Sequence, residues 1–270
     1  MPLLQLFLVA LVQGVTEFLP ISSSGHLVLL PHLTGMDDQG LAIDVAVHVG
    51  TLVAVCLYFR ADVAAGLAGL PRLLRGRVDT PGAGLTLGLM VATVPVVLAG
   101  AALQSSGLAD MLRSVAVIGW TTLVFGLVLL WADRTGADSR TAADWTPRHA
   151  LIMGLWQVLA LIPGTSRSGI TITGARRLGY GRTDAARLSM LMSIPAIAAS
   201  GVLLGAEAVA TLDIAALRDG AIAAALSCAA ALLALSLMMR LLRSVSFTPY
   251  VVYRIGLGLV LLAIAYGGPV

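Results

Sequence analysis

The chain has 270 residues, 58% of them hydrophobic and only 11% charged, with a mean hydropathy of +0.94. Soluble domains sit near ~45–50% apolar and about 25% charged, so this composition excludes a soluble globular protein and indicates an all-α, multi-pass membrane protein. The net charge of +3 rests on 17 basic residues, all of them arginine, and no basic tail or interleaved aromatic patch suggests a nucleic-acid partner.

In chain order, residues 1–33 are apolar but interrupted by Pro, Gly and Ser. Residues 1–12 lack a basic leader and a small-residue cleavage site, so they read as a retained membrane segment. Six runs then have the length and apolarity of full spans: about 43–59, 82–104, 114–132, 188–207, 219–239 and 249–268. A second interrupted region, 150–175, falls between the third and fourth. Broken backbone at membrane depth survives only inside protein or against a watery cavity, so each interrupted region is expected to be a helix leading into a re-entrant hairpin. Cys56 and Cys228 lie within apolar runs and read as buried small hydrophobes.

Arginines concentrate in the connections 60–79, 133–149, 176–187 and just after 239, whereas 34–42, 105–113 and 208–218 hold only Arg113 and Arg218. The positive-inside rule places the first set in the cytoplasm and the second outside. This trace gives one membrane domain over 1–270, with repeats at about 1–132 and 150–268 in opposite orientation. The segment "QGVTEFLPISSSG" (13–25) aligns without gaps to "QVLALIPGTSRSG" (157–169), matching Gln13 to Gln157, Ser22 to Ser166, Ser24 to Ser168 and Gly25 to Gly169. Paired interrupted segments in two halves mark an inverted repeat with a midplane site.

Polar groups inside these segments are costly in lipid and therefore point to function. Glu17 is the sharpest, with Gln13 one turn earlier on the same helix face; their oxygens suit a hard divalent cation, Mg²⁺ or Ca²⁺. Ser22, Ser23, Ser24 and Gly25 offer hydroxyls and amides where one helix ends and the next begins, a phosphate cradle in kind. His26 follows as an acid, base or nucleophile. In "PGTSRSG" (163–169), Arg167 presents a planar fork for phosphate oxygens, flanked by Thr165, Ser166 and Ser168. Asp44 and His48, at i and i+4 on the first full span, are secondary candidates. Trp131, Tyr250 and Tyr253 read as interfacial anchors.

The [E/Q]xxxE stretch running into "FLPISSSGH", together with "PGTSRSG" and "RLSMLMSIPAI" (187–197), resembles the undecaprenyl-diphosphate phosphatases, the bacitracin-resistance integral-membrane enzymes. The resemblance covers the whole chain. It implies hydrolysis of a C55 isoprenyl diphosphate to the monophosphate and inorganic phosphate, recycling the carrier for cell-wall synthesis. It further implies a divalent metal at Gln13 and Glu17, with Glu17, Ser23, His26 and Arg167 catalytic. Ser22, Ser24, Gly25, Thr165, Ser166 and Ser168 would bind substrate beside Gln13. The expected setting is the bacterial inner membrane, with the site open to the outer face, membrane lipids and the lipid substrate as partners, and a homodimer admitted. Attack by Ser23, by His26 or by water all remain open. A transporter or flippase with a midplane site is the alternative from another class. The acid-phosphatase-like lipid phosphatases are disfavoured, because "SRSGITITGARR" has no histidine after the arginine and the chain has no lysine.

Overall fold

A computed structural model describes residues 1–35, 39–209 and 214–267. Among these residues the regular structure is helical: α1 (Leu3–Thr16), α2 (Ser23–Thr34), α3 (Leu41–Tyr58), α4 (Arg60–Leu74), α5 (Pro81–Ser105), α6 (Leu108–Met111), α7 (Val115–Thr135), α8 (Pro147–Val158), α9 (Arg167–Arg177), α10 (Arg182–Val209), α11 (Ile214–Leu241) and α12 (Thr248–Tyr266). Helices α3, α5, α7, α10, α11 and α12 are each long and apolar enough to cross a bilayer, and they match the six expected spans. The protein is a multi-pass, all-α membrane protein.

Sequence punctuation sets the helix starts. Thr80, Ser114 and Thr146 accept hydrogen bonds from Ala83, Val117 and His149 amides, with Pro81 and Pro147 at the first turn of their helices. The stretch 60–79, expected as a loop, instead contains α4. That helix packs on α5 through a close approach in which a Cβ on Gly69 would meet Ala83 N at 2.2 Å. Its two glycines, Pro71 and terminal arginines weaken the helical pattern in sequence, and contact with α5 restores it.

The arginine-rich connections converge on one end of the molecule. Asp133, at the end of α7, accepts from Arg182 Nε at 2.7 Å and from the Phe247 amide at 3.2 Å. Fully buried Arg176 pairs with Asp138 and donates to the Asp133 and Gly136 carbonyls, and Arg187 pairs with Asp62. At the same end, burial pushes the Tyr180 phenol up to about 12, so it stays a donor to the Asp144 carbonyl.

Around the two interrupted regions the packing is dense. Helix α11 packs against both α1 and α3, α8 against α5, and α7 against α12. The α3–α11 and α1–α11 contacts depend on missing side chains, because a Cβ on Gly50 would lie 2.2 Å from the Ala224 carbonyl oxygen and one on Gly14 2.6 Å from that of Ser227. Gly50→Ala should therefore lower stability by about 1–3 kcal/mol, read as an earlier melting transition in detergent. Gly256→Ala, mid-helix in α12 where a Cβ meets nothing within 4 Å, should not lower the transition and should raise it slightly.

Candidate active site

Each interrupted region is two helices joined by a short break, 17–22 between α1 and α2, and 159–166 between α8 and α9. Ser22 (φ 74°, ψ 102°) and Ser166 (φ 70°, ψ 111°) are the two non-glycine residues with positive φ among the described residues. They are also aligned with each other in the gapless sequence match. Such backbone costs of order 1–3 kcal/mol and persists only where surroundings enforce it. Both breaks repeat the same internal bond: Ser22 Oγ to Ser24 Oγ at 3.0 Å, and Ser166 Oγ to Ser168 Oγ at 3.2 Å.

The breaks also bond to each other. The Gly164 amide donates to Ser24 Oγ at 3.1 Å, and Ser168 Oγ donates to the Leu19 carbonyl at 3.0 Å. Arg254 of α12, fully buried, gathers the remaining carbonyls. Its Nε reaches Thr122 O at 3.0 Å, Nη1 reaches Pro20 O at 3.4 Å, and Nη2 reaches Gly164 O and Thr165 O at 3.1 and 2.9 Å. One guanidinium thus ties both breaks to α7.

Where the breaks meet, Glu17 and Arg167 form an ion pair, Nη2 to Oε1 at 2.8 Å, with side chains 9% and 16% exposed. Glu17 Oε2 accepts from Gln13 Nε2 at 2.8 Å and from Ser23 Oγ at 3.4 Å, and His48 Nε2 stands 3.9 Å away. Arg167 is steadied from behind: Nη1 donates to the Ser189 carbonyl, and its guanidinium lies 5.9 Å from the Phe18 ring centroid. Ser189 belongs to "RLSMLMSIPAI", so that stretch holds the arginine in place.

A cavity of about 720 Å³ opens on this pair. Glu17, Ser22, Ser23, Ser24, Ser166 and Arg167 line it, as do Asp44 and His48. Arg113, Gln157 and Ser200 add further polar groups, and apolar side chains including Leu41, Val45, Val96 and Ile197 complete the wall. The arrangement offers a carboxylate, a hydroxyl and a guanidinium on one face of an otherwise greasy pocket. That combination suits an anionic head group on an apolar tail.

The other expected site residues sit elsewhere. Gln13, Gly25, Thr165 and Ser168 do not line the cavity: Gln13 backs Glu17, and Ser168 bonds the opposite break. His26, expected to handle a proton, pairs Nδ1 with the Ser22 carbonyl (2.7 Å) and Nε2 with Tyr253 Oη (2.6 Å). Tyr253, read as a lipid-facing anchor, thus also partners this histidine. His48 Nδ1 pairs with the Asp44 backbone carbonyl, while Gln39 donates to the Asp44 carboxylate.

A divalent metal fits the donor set in one way. No cluster of three or more His, Cys, Asp or Glu occurs among the described residues, so these residues supply no complete cage of that kind. Glu17 offers one carboxylate, and buried Gln13 Oε1 has no hydrogen-bond partner among the described residues. A hard cation held by one carboxylate and completed by substrate phosphate oxygens matches that set, which is the usual mode for Mg²⁺.

The family model described as bacitracin resistance protein BacA matches residues 6–260. An undecaprenyl-diphosphatase of Ruegeria pomeroyi is 72% identical over 98% of this chain and 100% of its own length. One from Dinoroseobacter shibae is 69% identical over 98% and 100%, and undecaprenyl-diphosphatase 1 of Rhodospirillum rubrum is 47% identical over 100% and 97%.

Sequence reasoning passed over Arg254, although the argument that singled out Glu17, a charge inside an apolar segment, applies to it equally. Arg254→Leu should remove four buried hydrogen bonds, leave the Pro20 and Thr165 carbonyls without this donor, and destabilise the protein by about 2–5 kcal/mol, measured by thermal unfolding in detergent. Arg254→Lys, which keeps the charge but not the fork, should recover less than half of that loss.

Proposed function

The chain belongs to the bacitracin resistance protein BacA family, and from this membership and the pocket's chemistry we infer that it is an undecaprenyl-diphosphatase. It hydrolyses undecaprenyl diphosphate to undecaprenyl phosphate and inorganic phosphate, a reaction that confers bacitracin resistance and returns the lipid carrier to cell-wall synthesis. The observation that carries the chemistry is the Glu17–Arg167 pair, made from two different breaks, with Ser23 Oγ beside it at the wall of an apolar cavity.

The roles follow from what each atom can do. Ser23 Oγ attacks the terminal phosphorus and gives its proton to Glu17 Oε2, the nearest base. The bond that breaks joins that phosphorus to the bridging oxygen, which leaves on undecaprenyl phosphate. Water then cleaves the phosphoserine and releases inorganic phosphate. Arg167 uses one nitrogen on Glu17 and one on Ser189, leaving further N–H donors to hold phosphoryl oxygens as charge spreads over them. Ser22, Ser24 and Ser166 add hydroxyls around the same group. A divalent cation at Glu17 and Gln13, shared with the substrate, would supply Lewis-acid neutralisation of the diphosphate. His26, turned to Tyr253, orients the start of α2 in this scheme and does not move the proton of Ser23.

The aligned strained serines and the two-break contact support an inverted duplication with re-entrant hairpins. The arginine-rich end is assigned to the cytoplasm of a bacterial inner membrane, and the cavity to the outer face.

Purified protein in detergent with Mg²⁺ or Ca²⁺ should release phosphate from undecaprenyl diphosphate, and chelation should abolish release. Glu17→Ala and Arg167→Ala should each lose at least ~100-fold in kcat/KM. Ser23→Ala should lose turnover similarly, and rapid quench of wild type should trap phosphoserine at Ser23. Near-normal turnover by Ser23→Ala would return the attack to water.

A further inference from the structure

Gln157 is fully buried on α8, yet neither its Nε2 nor its Oε1 has a hydrogen-bond partner among the described residues. Buried amides are nearly always paired, so an amide left open on both sides calls for a reason. Gln157 also lines the 720 Å³ cavity, beside Pro163, Gly164 and Arg167.

Its aligned counterpart shows why the amide is open. Gln13 Nε2 donates to Glu17, one turn later on the same helix. The residue one turn after Gln157 is Leu161, which stands at the position of Glu17 and has no acceptor to offer. The second half of the chain therefore retains the glutamine without the carboxylate that occupies it in the first. Gln13 is engaged through its Nε2 and does not line the cavity; Gln157 has neither amide atom paired among the described residues and does line it.

We propose that Gln157 is a direct ligand of the substrate's diphosphate group, its Nε2 donating to a non-bridging phosphoryl oxygen in the cavity shared with Arg167. An amide donor at this point adds a directional hydrogen bond without further positive charge. The Arg167 guanidinium, already paired to Glu17, then shares the diphosphate with this amide as well as with the hydroxyls of Ser22, Ser24 and Ser166. The identity of the ligand rests on the phosphatase reading above; the open amide and its place in the cavity do not.

The test compares wild type, Gln157→Leu and Gln157→Glu, purified in detergent. It measures phosphate release from undecaprenyl diphosphate and the thermal shift given by geranylgeranyl diphosphate. Gln157→Leu should melt no lower than wild type without ligand, since it removes an unpaired amide. It should lose about 10- to 100-fold in kcat/KM, the range for a hydrogen bond to a charged group, and most of the diphosphate-induced shift. Gln157→Glu, matched in size but repelled by phosphate, should lose more, and it carries the same test where the leucine variant does not fold. Wild-type turnover and thermal shift in both variants would overturn the proposal while leaving the phosphatase reading intact. Diphosphate binding by wild type without phosphate release, lost in the variants, would uphold the proposal and overturn the phosphatase reading. Absence of both phosphate release and any diphosphate-induced shift in wild type would overturn both.

Discussion

A helix that breaks among packed apolar helices exposes amides and carbonyls that must find partners within the protein, and this constraint governs how the site is built. Two broken segments solve it jointly. Ser24 takes the Gly164 amide, Ser168 reaches the Leu19 carbonyl, and Thr121 and Thr122 serve the carbonyls of Pro163 and Gly164. Arg254 closes the set by donating to Pro20, Gly164 and Thr165 together. Neither break could keep its strained serine alone; each supplies the surroundings that enforce the other.

Once the breaks are locked together, small differences between the halves create a single site. The gapless alignment pairs Glu17 with Leu161, and Ser23 with Arg167. One half therefore gives the carboxylate and the hydroxyl, and the other gives the guanidinium. A symmetric pair of breaks would place two carboxylates or two arginines close together in a medium that penalises like charge. The ion pair between Glu17 and Arg167 relieves that penalty, and one of its members stays free enough to meet an incoming phosphate.

Much of this was legible in sequence because lipid simplifies the code. Six apolar runs became six spans within a few residues, apart from the earlier starts of α10 and α11. Glu17, Arg167, Ser22, Ser23, Ser24 and Ser166 stood out against an apolar background and do meet at one cavity, while Ser168 bonds the opposite break instead. What escaped depended on three-dimensional context. Helix α4 draws on packing against α5 that local propensity does not encode. The partners of His26, the Ser22 carbonyl and the Tyr253 hydroxyl from α12, were not legible from its neighbours in sequence. Gln157 was visible as the mate of Gln13, yet what sets it apart is an amide with no partner among the described residues, which sequence does not show.

The central claim is that both breaks grip one diphosphate. A structure of the protein with the methylene-bridged, non-hydrolysable analogue of the substrate tests it most directly. The terminal phosphorus should lie ~3–3.5 Å from Ser23 Oγ, with its oxygens on Arg167 from the opposite break. A phosphonate held by one break alone, or bound outside the cavity with the Glu17–Arg167 pair undisturbed, would contradict it.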